Sequence, residues 1–186
     1  MKVINLYQEE HELIQLAAEN NRHAQHQIYS KFSAKMLSIC RQYIKDVHQA
    51  EDIMITAFMK VFTNLKNFEH KGSFEGWIRR IMVNECISFI RVDKKVKFIE
   101  DEKYFEERYN NIESQFSVED IQFLIDSLPE GYKMIFNLYA IEGFKHQEIA
   151  EMLSISEGTS KSQLSHARKM LQEHIVKLKN YDNGTE

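Results

Sequence analysis

Residues 143–171, GFKHQEIAEMLSISEGTSKSQLSHARKML, gather cations, amides and hydroxyls at helical spacing, the side chains that hydrogen-bond phosphates and base edges. Lys161, Gln163, His166, Arg168 and Lys169 share the outer face of one predicted helix, whose inner face is Leu164, Ala167 and Leu171. Ile149, Ala150 and Leu153 recur at the three-and-four step of a buried stripe and predict a helix before it. Residues 154–158 supply the break, and Thr159 is the expected cap of the second helix. A helix, a tight turn and a second helix of this kind can lay the second in a DNA major groove. The same pattern also fits a plain amphipathic hairpin within a larger helical core.

The elements that must position this face belong to a helical protein. The chain has 186 residues, 43% hydrophobic and 28% charged, which suffices for one or two small cores. A single proline and six glycines leave too few turns for an all-β fold, so an all-α fold is expected. No apolar stretch approaches the ~20 residues that cross a bilayer, and acids stand where a signal peptide has its basic start. A cytoplasmic protein without stable membrane insertion is therefore expected. Cys40 and Cys86 are far apart in sequence on apolar helical faces, with no CxxC, and are expected as core residues.

The net charge of -4 is unusual for a nucleic-acid binder until it is mapped along the chain. Over residues 76–97, Arg79, Arg80, Arg91, Lys94, Lys95 and Lys97 outnumber Glu85 and Asp93. Residues 98–120 are acidic, with Glu100, Asp101, Glu102, Glu106 and Glu107 prominent. Residues 157–179 are basic again. Two basic surfaces flanking an acidic segment suit two nucleic-acid-binding lobes joined by a linker, although solvated faces alone give charge runs too.

Helical periodicity predicts elements over about residues 8–19, 22–46, 50–65 and from just after Ser73 to residue 91. Their inward stripes are Ile28, Phe32, Met36, Cys40 and Tyr43; then Met54, Phe58, Val61, Phe62 and Leu65; then Phe74, Ile78, Met82, Cys86 and Phe89. Glu51 and Asp52 are expected in the first turn of the third helix, at the positive end of its dipole. Later, Ser117 and Asp120 form a capping-box-like opening, and Pro129 suits the start of a helix ending near Gly143.

The order and spacing of AEDIMITAFMKVFTNLKNFE (50–69), GSFEGWIRRIMVNECISFIR (72–91) and the block at 128–171 resemble the extracytoplasmic-function class of bacterial sigma factors. The resemblance covers nearly the whole chain. It implies two small helical lobes, region two at 1–91 and region four at 117–180, joined by a flexible acidic linker at 92–116. It implies core RNA polymerase and promoter DNA as partners, together with an anti-sigma factor.

The resemblance assigns residues 50–62 to docking on polymerase, through Glu51, Asp52, Met54 and Phe58; core packing is the competing role for Met54 and Phe58. Ile55 and Thr56 stand where the family has a polar and an acidic residue, so this contact is expected to be more apolar than usual. His70, Lys71, Ser73, Phe74, Trp77, Arg79, Arg80, Asn84 and Arg91 fall in the part that melts and reads the minus-ten element. Cations there hold backbone and an aromatic face stacks a base for about 1–3 kcal/mol, while Trp77 also suits a buried hinge. Glu157, Thr159, Ser160, Lys161, Gln163, His166, Arg168 and Lys169 fall on the helix that reads the minus-thirty-five element. Gln163 can pair with adenine. The family has arginines where this chain has Gln163 and His166, and a serine cap where it has Lys145, so weaker phosphate affinity is expected.

No catalytic constellation, metal site or cofactor motif emerges. His23 and His26 can share a helix face but lack ligand partners at metal-site spacing. An enzyme is not expected. A stand-alone helix-turn-helix regulator leaves the first basic block without a role, and a purely protein-binding adaptor leaves both without one.

Overall fold

The computed structural model describes residues 2–93 and 117–182. Every regular element among them is helical: α1 Lys2–Ala18, α2 Arg22–Tyr43, α3 Val47–Asn64, α4 Phe74–Asp93, α5 Val118–Asp126, α6 Glu130–Phe136, α7 His146–Leu153 and α8 Glu157–Asp182. A 3-10 turn, Leu65–Asn67, follows α3, and a π-helical stretch, Asn137–Ile141, extends α6. The chain divides into two compact units, residues 1–92 and 93–186. The expected linker, apart from residues 92 and 93, lies outside the described residues, as do its acids and Lys94, Lys95 and Lys97.

In the first unit, α2 packs on α1 and α3. Ile28, Phe32, Met36 and Cys40 of α2 are buried, as the four-residue step requires, and Tyr43 is half-buried. Asn21 caps α2 by accepting hydrogen bonds from the backbone N–H of His23 and Ala24. Asp46 caps α3 by accepting from Gln49 N at 2.9 Å. That cap moves the start of α3 back to Val47, so Glu51 and Asp52 lie beyond the first turn where they were expected. Ser73 Oγ accepts from Gly76 N at 3.0 Å and opens α4, whose Phe74, Ile78, Met82 and Cys86 are buried. Lys60 of α3 reaches Glu85 of α4 at 2.5 Å.

In the second unit, α8 packs on α5, α6 and α7. The capping box expected at Ser117 and Asp120 is present, with Asp120 N donating to Ser117 Oγ at 3.1 Å. Leu124, Ile125, Leu128, Ile135 and Leu138 are buried, whereas Ile121 is exposed. Gly143 sits at φ 76°, the left-handed conformation that ends a helix most readily at glycine. Ser154 takes the same role after α7 at φ 56°. Lys145 donates its N–H to Glu148 Oε2 at 2.8 Å, so Glu148 supplies a cap where the side chain of Lys145 cannot.

Candidate functional site

On α3 the inward and outward faces are sharply divided. Ala50, Ile53, Met54, Ala57, Phe58 and Val61 are buried. Met54 and Phe58 are therefore core residues, as their inward stripe and the competing core role allowed, and their burial keeps them off the open side of the helix. The outward face is Asp52, Ile55, Thr56 and Met59, with half-buried Glu51 at its margin. Ile55 is 51% exposed and Met59, one turn on, is 64% exposed. Two apolar side chains open to water beside carboxylates make a surface suited to a partner with both apolar and basic groups. Met59 was missed, although the four-residue step from Ile55 leads to it.

Between α3 and α4 the chain folds into an aromatic column. His70 adopts φ 57° and Gly72 φ 96°, which reverse the chain tightly. The His70 ring stacks on His11 of α1 at 4.5 Å and lies 4.7 Å from Phe68. Phe68 in turn lies 5.4 Å from Trp77 and 5.2 Å from Phe74. Phe74 is buried at 2% exposure, on the inward stripe expected for it, and forms the floor of the column. Trp77 stacks on Phe74 at 5.9 Å and is half-buried, which leaves both of its expected roles open.

Along α4, Trp77, Arg80, Asn84, Ser88 and Arg91 follow one another at steps of three, four, four and three, and so form one row. Arg80, Asn84, Ser88 and Arg91 are exposed and Arg79 is half-buried beside them. His70, Lys71 and Ser73 are exposed at the near end, where Lys71 pairs with Glu69 at 2.6 Å. The arrangement offers an open row of cations and an amide, starting at an aromatic ring. It can hold a phosphate backbone and present a surface for a stacked base.

The two helices of the second unit's turn motif are fastened by His146. Its Nδ1 lies 2.9 Å from Ser160 Oγ, and its ring stacks on Tyr139 at 4.4 Å. Burial, then the nearby Lys161 and Arg168 charges, hold His146 below the ordinary imidazole range despite an opposing effect of Glu157. Helix α8 begins one turn before the expected cap. Ser156 Oγ accepts from Thr159 N at 2.9 Å, so Ser156 is the cap and Thr159 stands inside the first turn.

Thr159, Ser160 and Gln163 are buried at 7%, 0% and 1% exposure, which corrects the outward placement expected of Gln163. Ser160, Gln163 and Ala167 fall in one row at steps of three and four, and Ser160 is held against α7. Gln163 follows its neighbours inward despite its polarity. The surface left open is Glu157, Lys161 and Lys169, with half-buried His166 and Arg168 at its edge. Tyr132 stacks on His166 at 5.6 Å, and the Arg168 guanidinium lies 5.6 Å from the Tyr139 ring centre. Glu157 and Lys161 pair at 2.7 Å, and their hydrogen bond holds the Glu157 carboxyl below its usual range.

Among the described residues no group of three or more His, Cys, Asp or Glu is placed to hold a metal ion, and no helix is long and apolar enough to cross a membrane.

Two family models match separate stretches of the chain. The family described as Sigma-70 region 2 matches residues 28–96, and Sigma-70, region 4 matches residues 119–171. The chain is 29% identical over 142 residues to the ECF RNA polymerase sigma factor SigE of Mycolicibacterium smegmatis, covering 70% of this chain and 53% of SigE. It thus spans about half the length of that relative. It is also 29% identical over 161 residues to the ECF RNA polymerase sigma factor SigW of Bacillus subtilis, covering 79% of this chain and 86% of SigW. The sigma factor RpoE of Bartonella quintana, solved in complex with the anti-sigma factor NepR, is 22% identical with a TM-score of 0.45, covering 80% of this chain and 94% of that one. With region two and region four matched in order along one chain, the protein belongs to the sigma-70 family of RNA polymerase sigma factors, in its extracytoplasmic-function group.

Proposed function

We propose that this chain is an extracytoplasmic-function sigma factor that binds core RNA polymerase in the cytoplasm and directs it to specific promoters. Residues 1–91 act as region two, 92–116 as a flexible linker and 117–180 as region four. The observation that carries the proposal is the open row from Trp77 through Arg80 and Asn84 to Arg91, lying within a matched region two. A row of this kind suits a single strand held by its backbone while a base stacks at one end.

The docking face on polymerase is the outward side of α3, with Asp52 and Glu51 beside Ile55, Thr56 and Met59. His70, Lys71, Ser73, Trp77, Arg79, Arg80, Asn84 and Arg91 contact the minus-ten element. On α8, Glu157, Lys161, His166, Arg168 and Lys169 meet the minus-thirty-five duplex first. Base contacts by Thr159, Ser160 and Gln163 need the surface over them to be uncovered. The family consists of proteins that are not enzymes, and this chain contributes specificity while polymerase supplies the chemistry. An anti-sigma factor completes the proposed partners.

Reconstituted transcription tests the proposal. The chain with bacterial core polymerase is expected to start transcripts at a matched promoter that neither component uses alone. Promoter binding by the isolated chain that core polymerase does not improve would identify a stand-alone regulator instead.

A further inference from the structure

We propose that Cys40 and Cys86 form a redox-modification site, a buried thiol pair that closes reversibly into a disulfide tying α2 to α4. The two cysteines are remote in sequence, yet the fold brings their side chains into hydrogen-bonding contact, and neither has any exposed surface. Both thiols are free.

The contact belongs to a longer seam between the same helices. Phe32 meets Phe74 with ring centroids 5.8 Å apart, and Lys35 reaches Glu75 at 2.5 Å. Cys40 and Cys86 are the next pair along. Residue numbers rise together through all three pairs, so α2 and α4 run in the same sense and are pinned on either side of Met36 and Met82, themselves fully buried. Packing of this density holds side chains in defined rotamers, and sulfurs already in contact have little distance to cover to reach a bond of about 2 Å. The hydrogen bond between the two sulfurs lowers Cys40 against the effect of burial, and raises Cys86 together with burial.

With a hydroperoxide as oxidant the reaction balances in two steps. The Cys40 thiolate attacks the terminal peroxide oxygen and the O–O bond breaks. The leaving alkoxide takes a proton to become an alcohol, and Cys40 is left as a sulfenic acid. The Cys86 sulfur then attacks Cys40, the S–O bond breaks as the S–S bond forms, and the hydroxyl leaves as water with the Cys86 proton. One hydroperoxide accepts two electrons from two thiols. Burial makes the rate depend on transient opening of the lobe, whereas the position of equilibrium depends on how well the fold aligns the sulfurs. The closed form fixes α4, the helix that carries Arg80 and Asn84, covalently to α2.

The test is redox equilibration of the full chain with reduced and oxidised glutathione, begun from both the reduced and the oxidised protein, in buffer and in urea. Acid quenching, intact mass and peptide mapping then give the fraction bridged. The expected result is a bridge between Cys40 and Cys86 within one chain, reversed by dithiothreitol and absent from Cys40→Ala. Its equilibrium constant should be on the order of a hundredfold greater in the folded than in the unfolded chain, because a bridge that stabilises the fold is stabilised by it equally. A ratio of one or less would overturn the proposal, as would oxidation that yields only bridges between chains or mixed disulfides with glutathione.

Discussion

His146 Nδ1 and Ser160 Oγ, 2.9 Å apart, join the two helices of the turn motif through one half-buried and one fully buried polar side chain. The contact makes that motif sensitive to acid. His146 is held below its ordinary value of 6.5 by burial first and by the charges of Lys161 and Arg168 next. The folded chain therefore binds fewer protons at this site than the unfolded chain, and stability rises with pH across the window below 6.5. The contribution is complete above the unfolded value and declines as pH falls below it. Urea midpoints of the full chain should fall between about pH 7 and pH 5.5, and His146→Gln should flatten part of that slope. An unchanged slope in the variant would remove His146 as its source.

Polymerase docking should separate from folding on α3. Ile55→Asp and Met59→Asp change exposed positions, so they should weaken binding to core polymerase roughly tenfold or more each while leaving thermal stability nearly unchanged. Met54→Ala and Phe58→Ala empty core positions and should cost about 2–5 kcal/mol of stability. Polymerase pull-down quantified beside thermal melts distinguishes the pairs. Loss of binding from the core variants alone would place the docking face elsewhere.

The α4 row makes a different prediction about division of labour. Arg80→Ala and Asn84→Ala should each reduce promoter opening about tenfold or more, given the 1–3 kcal/mol typical of a base contact. Duplex binding by the region-four segment should be unaffected. Permanganate reactivity of the melted strand reports the first property and a duplex mobility shift the second. Equal loss of both in a folded variant would contradict the assignment of separate surfaces.

The cap of the second turn helix can be tested by itself. Ser156→Ala removes the acceptor for Thr159 N and should cost about 0.5–2 kcal/mol, seen as earlier amide exchange at residues 157–160. Indifference to that change would return the capping role to Thr159.

The stripes that build both lobes were legible because one turn of helix brings every third or fourth residue to the same side. Ile28, Phe32, Met36 and Cys40 follow that rule, and Ser117 with Asp120 announced its helix by capping chemistry. Periodicity put Met54 and Phe58 on the inward stripe of α3 while the family resemblance put them in the docking contact, and only their burial decides for the core. Gln163 was misplaced because its polarity argued for water while its row, shared with Ser160 and Ala167, is covered. His70 takes left-handed backbone without being glycine, so the reversal it makes carried no compositional signal, whereas the break at Ser154 falls where residues 154–158 were expected to supply one. The meeting of Cys40 with Cys86 depends on how two helices pair, which neither helix encodes alone.

The pairing of Glu157 with Lys161, 2.7 Å apart on the open side of α8, bears on how promoter affinity responds to salt. A lysine that already carries a carboxylate must exchange that partner for a phosphate, so it displaces fewer condensed ions from the duplex than its charge suggests. Each fully neutralised phosphate contributes about 0.9 to the slope of log affinity against log salt, and Lys161 should contribute less. Glu157→Gln should steepen the slope and strengthen binding most at low ionic strength, making the acid on this helix a brake on indiscriminate attachment to DNA.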